Sequence, residues 1–298
     1  MYNQVLNVLL LGVLLITGCA AKKNPVRSEI IACGGHNVII FDAEQSNGED
    51  LHVLWEWDIA EATALPPEYQ KYLNPLDECK PIDHNTKLLV TSSGGGVVLI
   101  ERATKEILFY TNSPMAHSAE YLPGDRIAVA LSDHPYGNSV ELYDVLQSEK
   151  CLYRDTLKWG HGVVWMPGQQ RLYALGSDDL VCYSLQNWES DQPSLKREKT
   201  WQLPGWSGHD LIAISDEELV ITVAESIWTF DIPSEQFALF EPLQAHDVKA
   251  INYNKANGKL VYTKAEESWW THRVYSENPD KTYIIPDIQV YKARVYPK

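Results

Sequence analysis

Histidine is the side chain of this sequence best suited to chemistry near neutral pH, and nine are present. Seven of them fall at two kinds of position. His117, His161, His209 and His246 each open a stretch of one form: histidine, a short apolar run, a turn, a second apolar run. His36, His134 and His272 sit in turns, within Gly-Gly-His, Ser-Asp-His-Pro-Tyr-Gly-Asn and Trp-Trp-Thr-His. Converging imidazoles can ligate a divalent metal, with carboxylates as further ligands. They can instead transfer protons, because their pKa lies near neutrality. The metal set that the repeat suggests is His117, His161, His209 and His246. The wider ligand-binding set adds Glu78, Lys80, His134 and His272. Asp77 and Glu78 stand where the second copy of the pattern replaces histidine, which makes the set chemically uneven. Tyr136, Trp159, Trp206, Trp269 and Trp270 lie near the same turns and could stack on the apolar faces of sugar rings.

The elements that must position these residues are short strands. The histidine-led stretches begin at 117, 161, 209 and 246, a period of roughly 37–48 residues, which is the size of one four-stranded propeller blade. Each stretch reads as strand, tight turn, strand. Apolar alternation and turn residues extend the pattern to the first blade from Ser28 and the second from Asp77. The expectation is an all-β, six-bladed β-propeller. A seven-bladed ring is the rival, and would require strands hidden within 60–76, which reads as a loop with one helical turn. The first blade is one strand short and the tail, Ile288–Tyr296, supplies one too many, so pairing the two ends closes the ring and leaves no free edge. In a propeller the first strand of each blade lines the central channel. The segment entering it and the loop between second and third strands share one face. This places seven histidines on a single face and His84 on the other.

Residues 1–18 carry no charged side chain, and Val5–Thr17 is almost wholly apolar. The stretch ends in Leu15-Ile16-Thr17-Gly18-Cys19, which resembles the bacterial lipobox. The resemblance implies cleavage before Cys19 and a lipid on its thiol. A basic segment at the very start, usual in such signals, is missing. The expected organisation is a signal peptide at 1–18, a lipidated tether at 19–28 and a propeller at 29–298. Dual acylation holds a protein at a membrane without a spanning helix. The absence of Asp after Cys19 and of an acidic run in the tether implies an outer-membrane lipoprotein facing the periplasm. The net charge of −15 excludes nucleic-acid binding through the overall field. Cys33, Cys79, Cys151 and Cys182 lie in strand-like runs without CxxC spacing and read as buried free thiols. No Gly-x-Ser-x-Gly, HExxH, P-loop or Rossmann glycine pattern is present.

Asp77-Glu78-Cys79-Lys80-Pro81, Thr91-Ser92-Ser93-Gly94-Gly95-Gly96, His117-Ser118-Ala119-Glu120, His161-Gly162-Val163-Val164-Trp165 and Gly208-His209-Asp210-Leu211 together resemble an uncharacterised family of bacterial lipoprotein propellers. The likeness spans nearly the whole chain after Cys19. It implies the fold and an envelope location, and no activity. Gly160-His161 and Gly208-His209 are also similar to the Gly-His of WD-type and YVTN-type propeller repeats, where histidine braces neighbouring blades. Propeller polysaccharide lyases offer a fold-level analogy that transfers no residue roles. Two functions follow as expectations. One is binding, with cleavage as an option, of a carbohydrate or similar polar ligand at the histidine-lined face, with a divalent metal as candidate cofactor. The other is a non-catalytic scaffold for a protein partner in the cell envelope.

Overall fold

The computed structural model describes residues 28–296, so the lipobox, Cys19 and most of the tether lie outside the described residues. Every strand pairs antiparallel with its neighbours, and the strands form six four-stranded sheets. Blade 2 runs β4 (Leu76–Ile82), β5 (Lys87–Ser92), β6 (Gly96–Glu101) and β7 (Ile107–Asn112). Blade 3 starts with β8 (Ala116–Leu122), blade 4 with β12 (Gly162–Met166), blade 5 with β16 (Asp210–Ser215) and blade 6 with β20 (Val248–Asn254). Blade 1 takes its innermost strand from the tail: β24 (Val290–Tyr296) pairs with β1 (Glu29–Gly34), which leads to β2 (Asn37–Asp42) and β3 (Val53–Asp58). The innermost strands touch one another in cyclic order, β24 against β4, then β8, β12, β16, β20 and back to β24. The chain is a six-bladed propeller closed by its two ends.

The blades pack face to face, so their inner strands are buried on both sides and read as continuous apolar runs. Arg126–Leu131 is buried at every position, whereas every position of the outermost strand Cys151–Thr156 is exposed or half-buried. The closure depends on a backbone contact that only glycine permits. A Cβ on Gly34 would fall 1.8 Å from the Gln289 carbonyl oxygen, where the tail crosses onto blade 1. Gly162 serves similarly between blades 4 and 5, where a Cβ would meet that of Leu211 at 2.7 Å.

Up to Leu76, where β4 begins, the stretch 60–76 contains no strand, which removes the seven-bladed alternative. It holds a 3-10 turn at Ile59–Glu61 and one helical turn at Tyr69–Tyr72. Leu65, Tyr69 and Leu73 from this insertion pack into the apolar cluster shared by blades 1 and 2. The four described cysteines are free thiols. Cys33, Cys79 and Cys182 are buried, but Cys151 is exposed, because it lies on an outermost strand whose far side meets solvent.

Candidate functional site

At the upper mouth of the channel each blade contributes one side chain: Tyr291, Asp77, His117, His161, His209 and Lys249, in order around the ring. In four blades the contributor sits at a β-bulge. The register skips Asp77 between Leu76 and Glu78, His117 between Ala116 and Ser118, Lys249 between Val248 and Ala250, and Tyr291 opposite Cys33 and Gly34. A bulge re-aims a side chain that regular alternation would send into the sheet packing. His161 and His209 stand just before their first strands, and their backbone N–H groups donate to the carbonyls of Leu175 and Thr222.

The three imidazoles pack on one another. The rings of His117 and His161 lie 4.4 Å apart, those of His161 and His209 5.3 Å apart, and Tyr291 approaches His117 at 6.1 Å. His117 Nδ1 lies 3.0 Å from the Met115 carbonyl and His161 Nδ1 2.8 Å from that of Trp159. A carbonyl can only accept, so each Nδ1 carries the proton and each Nε2 keeps its lone pair. Lys249 Nζ donates to His209 Nε2 at 2.8 Å, and His209 Nδ1 is buried without a partner. Burial is the main cause of a low imidazole pKa here, near 4 for His117 and near 3 for His209. That of His161 is also well below the usual value, by burial and by its two imidazole neighbours. All three are neutral at pH 7. Burial likewise pushes the Asp77 carboxyl up to about 7, against the pull of its bond from the Ser93 backbone N–H.

Directly beneath lies a layer of full charges. Arg294 bridges two carboxylates from opposite sides of the channel. Its guanidinium donates to Glu78 at 2.7 and 2.6 Å and to Asp210 at 2.7 and 2.6 Å. Lys292, with no exposed surface, sits 3.1 Å from Asp210 Oδ1 and 3.6 Å from Glu78 Oε2. It also donates to the backbone carbonyl of His209 at 3.1 Å. The Arg294 and Lys292 charges overcome desolvation and hold the carboxyls of Glu78 and Asp210 below the usual range. Lower still, Lys80 pairs with Glu120 at 2.9 Å and reaches the Val163 carbonyl.

The structure therefore brings together His117, His161 and His209, and places Glu78 and Lys80 deeper in the same channel. It leaves out the other three candidates. His246 is two residues upstream of its strand, its side chain is 80 % exposed and it pairs with Asp247; Lys249 takes the ring position of that blade. His134 shapes its own turn by accepting from the Tyr136 N–H. His272 Nδ1 donates to the carbonyls of Ile285 and Ile288 and so braces blade 6 against the tail. Among the described residues no group of three or more His, Cys, Asp or Glu is arranged to hold a metal ion. Of the expected metal set, His246 is in solvent, the rings of the other three meet at tilted and edge-on angles, and one Nε2 is occupied by an ammonium. Lys292, Arg294 and Tyr291 are the functional candidates the histidine pattern misses. Their signal is the alternation in Val290-Tyr-Lys-Ala-Arg-Val295, a strand that must line the channel once it closes the ring.

Beside the mouth, a cavity of about 210 Å³ opens on the same face. Tyr291 and Asp77 of the ring line it, together with Trp269, Trp270, Asn74 and Gln289. The described residues include three exposed large aromatics, Tyr136, Trp206 and Trp269, at 71 %, 58 % and 57 %. All three lie in loops of this upper face, on connections into first strands or between second and third strands. A larger cavity, about 520 Å³, lies at the lower end of the channel between blades 5, 6 and 1.

Residues 22–296 match the model of a family of unknown function, DUF6528. Among solved structures, a protein of unknown function from Bacteroides caccae is similar to the chain. The TM-score is 0.58 at 9 % identity, covering 92 % of this chain and all of that one. At that identity the likeness concerns the fold. No curated protein matches the sequence.

Proposed function

We propose a glycan-binding role at the upper face for this chain, which belongs to the family DUF6528, and we propose that it acts as a lipid-anchored protein of the cell envelope. The observation that carries the binding reading is the cavity beside the mouth. Trp269, Trp270 and Tyr291 offer flat apolar walls, and Asp77, Asn74 and Gln289 offer carboxyl and amide groups. Stacking surfaces with a few placed polar groups suit sugar rings, which have apolar faces and hydroxyl edges. Trp206 and Tyr136 extend the aromatic surface around the same face.

The imidazoles support binding over cleavage. A general base works best with a pKa near the working pH. His117 near 4 and His209 near 3 are too weak as bases for proton abstraction at pH 7. They form a neutral, hydrogen-bonding part of the ring around the mouth. The anchor reading rests on Leu15–Cys19. It is compatible with the fold, because Ser28, the first described residue, lines the lower cavity and not the upper mouth.

A glycan array probed with the protein from residue 20 onward tests the binding reading. Wild type should bind a defined glycan class, and Trp269→Ala should lose it while keeping its circular dichroism and melting temperature. No glycan binding by the wild type, or unchanged binding by Trp269→Ala and Trp270→Ala, would overturn it. Metabolic labelling with an alkyne fatty acid, lost in Cys19→Ala, tests the anchor.

A further inference from the structure

Buried cations in the channel follow one rule with one exception. Arg294 and Lys292 are answered by Glu78 and Asp210, and Lys80 by Glu120. Lys249 is not answered. Its residue is only 7 % exposed, and its one hydrogen-bond partner is a neutral imidazole, His209 Nε2 at 2.8 Å. Among the described residues no carboxylate lies within ion-pair distance of its Nζ; Asp247 acts on it only from farther away, and Lys292 repels it. Burial and that repulsion lower its pKa to about 8, so at neutral pH it is still mainly an ammonium. A buried ammonium is ordinarily paired, because desolvation of an unpaired charge is costly. An anion entering the mouth would supply the missing counter-charge. Lys249 belongs to blade 6, the blade whose β21–β22 loop, between Lys259–Lys264 and Arg273–Glu277, carries Trp269 and Trp270. It is next in the ring to Tyr291, which lines the aromatic cavity.

We propose that Lys249 receives a carboxylate and that the bound glycan is therefore an acidic one, built on uronic or similar carboxylated sugars. The proposal rests on the glycan-binding reading and narrows it. A sugar over Trp269 and Trp270 would present its ring to the aromatic walls and its carboxylate to Lys249. The pairing would then match that of Arg294 one layer below. The net charge of −15 repels such a ligand at a distance. Selectivity is consequently a matter of contact within the mouth, not of long-range attraction.

The test starts from the glycan-array hits. Hits should carry carboxylates, and converting these to methyl esters should weaken binding at least tenfold in calorimetric titration. Lys249→Met should bind the acid and the ester alike, and Lys249→Arg should restore the preference for the acid; circular dichroism and melting temperature confirm that both variants fold. Hits confined to neutral or sulfated glycans, or equal affinity of wild type for acid and ester, would overturn the proposal and leave the glycan reading standing if Trp269→Ala still abolishes them. No hits at all would sink both, by the failure of the glycan reading itself.

Discussion

Arg294 and Lys249 are both cations buried in the same channel, one layer apart. Arg294 makes four short bonds to two carboxylates, and its neighbour Lys292 shares them. Lys249 has a single neutral partner. The upper ring is held by packing between neutral imidazoles, and the lower layer by ionic bonds that span the channel from blade 1 to blades 2 and 5. Such a division suits a binding protein. The lower layer is saturated, so it has nothing left to offer a ligand. The upper ring retains unspent valence at Lys249, at the Nε2 atoms of His117 and His161, and at His209 Nδ1.

Arg294→Met strikes the lower layer and should have the largest effect. It leaves two buried carboxylates with Lys292 as the one cation within ion-pair distance, beside hydrogen bonds from Cys79, Ser118 and Ile251. Removing one member of a buried ion network costs about 3–5 kcal/mol, measurable as a lowered midpoint in urea unfolding. A loss below about 1 kcal/mol would mean that the layer relaxes without it, and the contrast with the ring would fail.

Acid distinguishes members of the upper ring next. The imidazole pKa values are depressed in the folded state, so the unfolded chain binds more protons between its own value of 6.5 and the folded value near 4. The stability they contribute is full above 6.5 and is lost as pH falls toward 4. Asp77 has the opposite sign. Its carboxyl is raised to about 7, so its contribution is full below 3.8 and is lost as pH rises through about 7. His161→Asn should flatten the acid-side fall in melting temperature, and Asp77→Asn should steepen it. Each proton bound differently changes the slope by up to about 1.4 kcal/mol per pH unit. Identical profiles for wild type and both variants would show that these groups titrate as in the unfolded chain.

The smallest effect on stability belongs to the rim. Trp269 is more than half exposed, and Trp269→Ala should shift unfolding by no more than about 0.5 kcal/mol while removing glycan binding. A rim substitution that destabilises as much as one in the lower layer would make the aromatic face structural.

The propeller was legible because each blade repeats a short grammar of strand, turn and strand, and because the two ends showed complementary strand counts. The ring was partly legible. His117, His161 and His209 share a place in the repeat and meet in space. His246 shares the same phrase but not the register. The bulge in its blade falls three residues later, at Lys249, so the following lysine enters the mouth and the histidine stays in solvent. A three-residue offset of this kind has no signature in composition or period. The turn histidines His134 and His272 stand on the expected face, yet local carbonyl and amide partners claim them. Lys292 and Arg294 are hidden for another reason. The pairing of the tail is legible in the strand count, but which of its side chains face the channel follows only from closure of the ring.

Because the channel's innermost sixth is the last strand of the chain, Val290–Tyr296, the order of synthesis has a bearing on the site. The ribosome makes Glu78 and Asp210 long before it makes Lys292 and Arg294. Until Val290–Tyr296 is made, the two carboxylates lack Lys292 and Arg294 as counter-ions, and the mouth lacks Tyr291. A chain that stops at Gln289 would carry every histidine of the ring and neither the floor beneath it nor the clasp around it. Synthesis of Val290–Tyr296 therefore precedes both closure of the ring and assembly of the binding mouth.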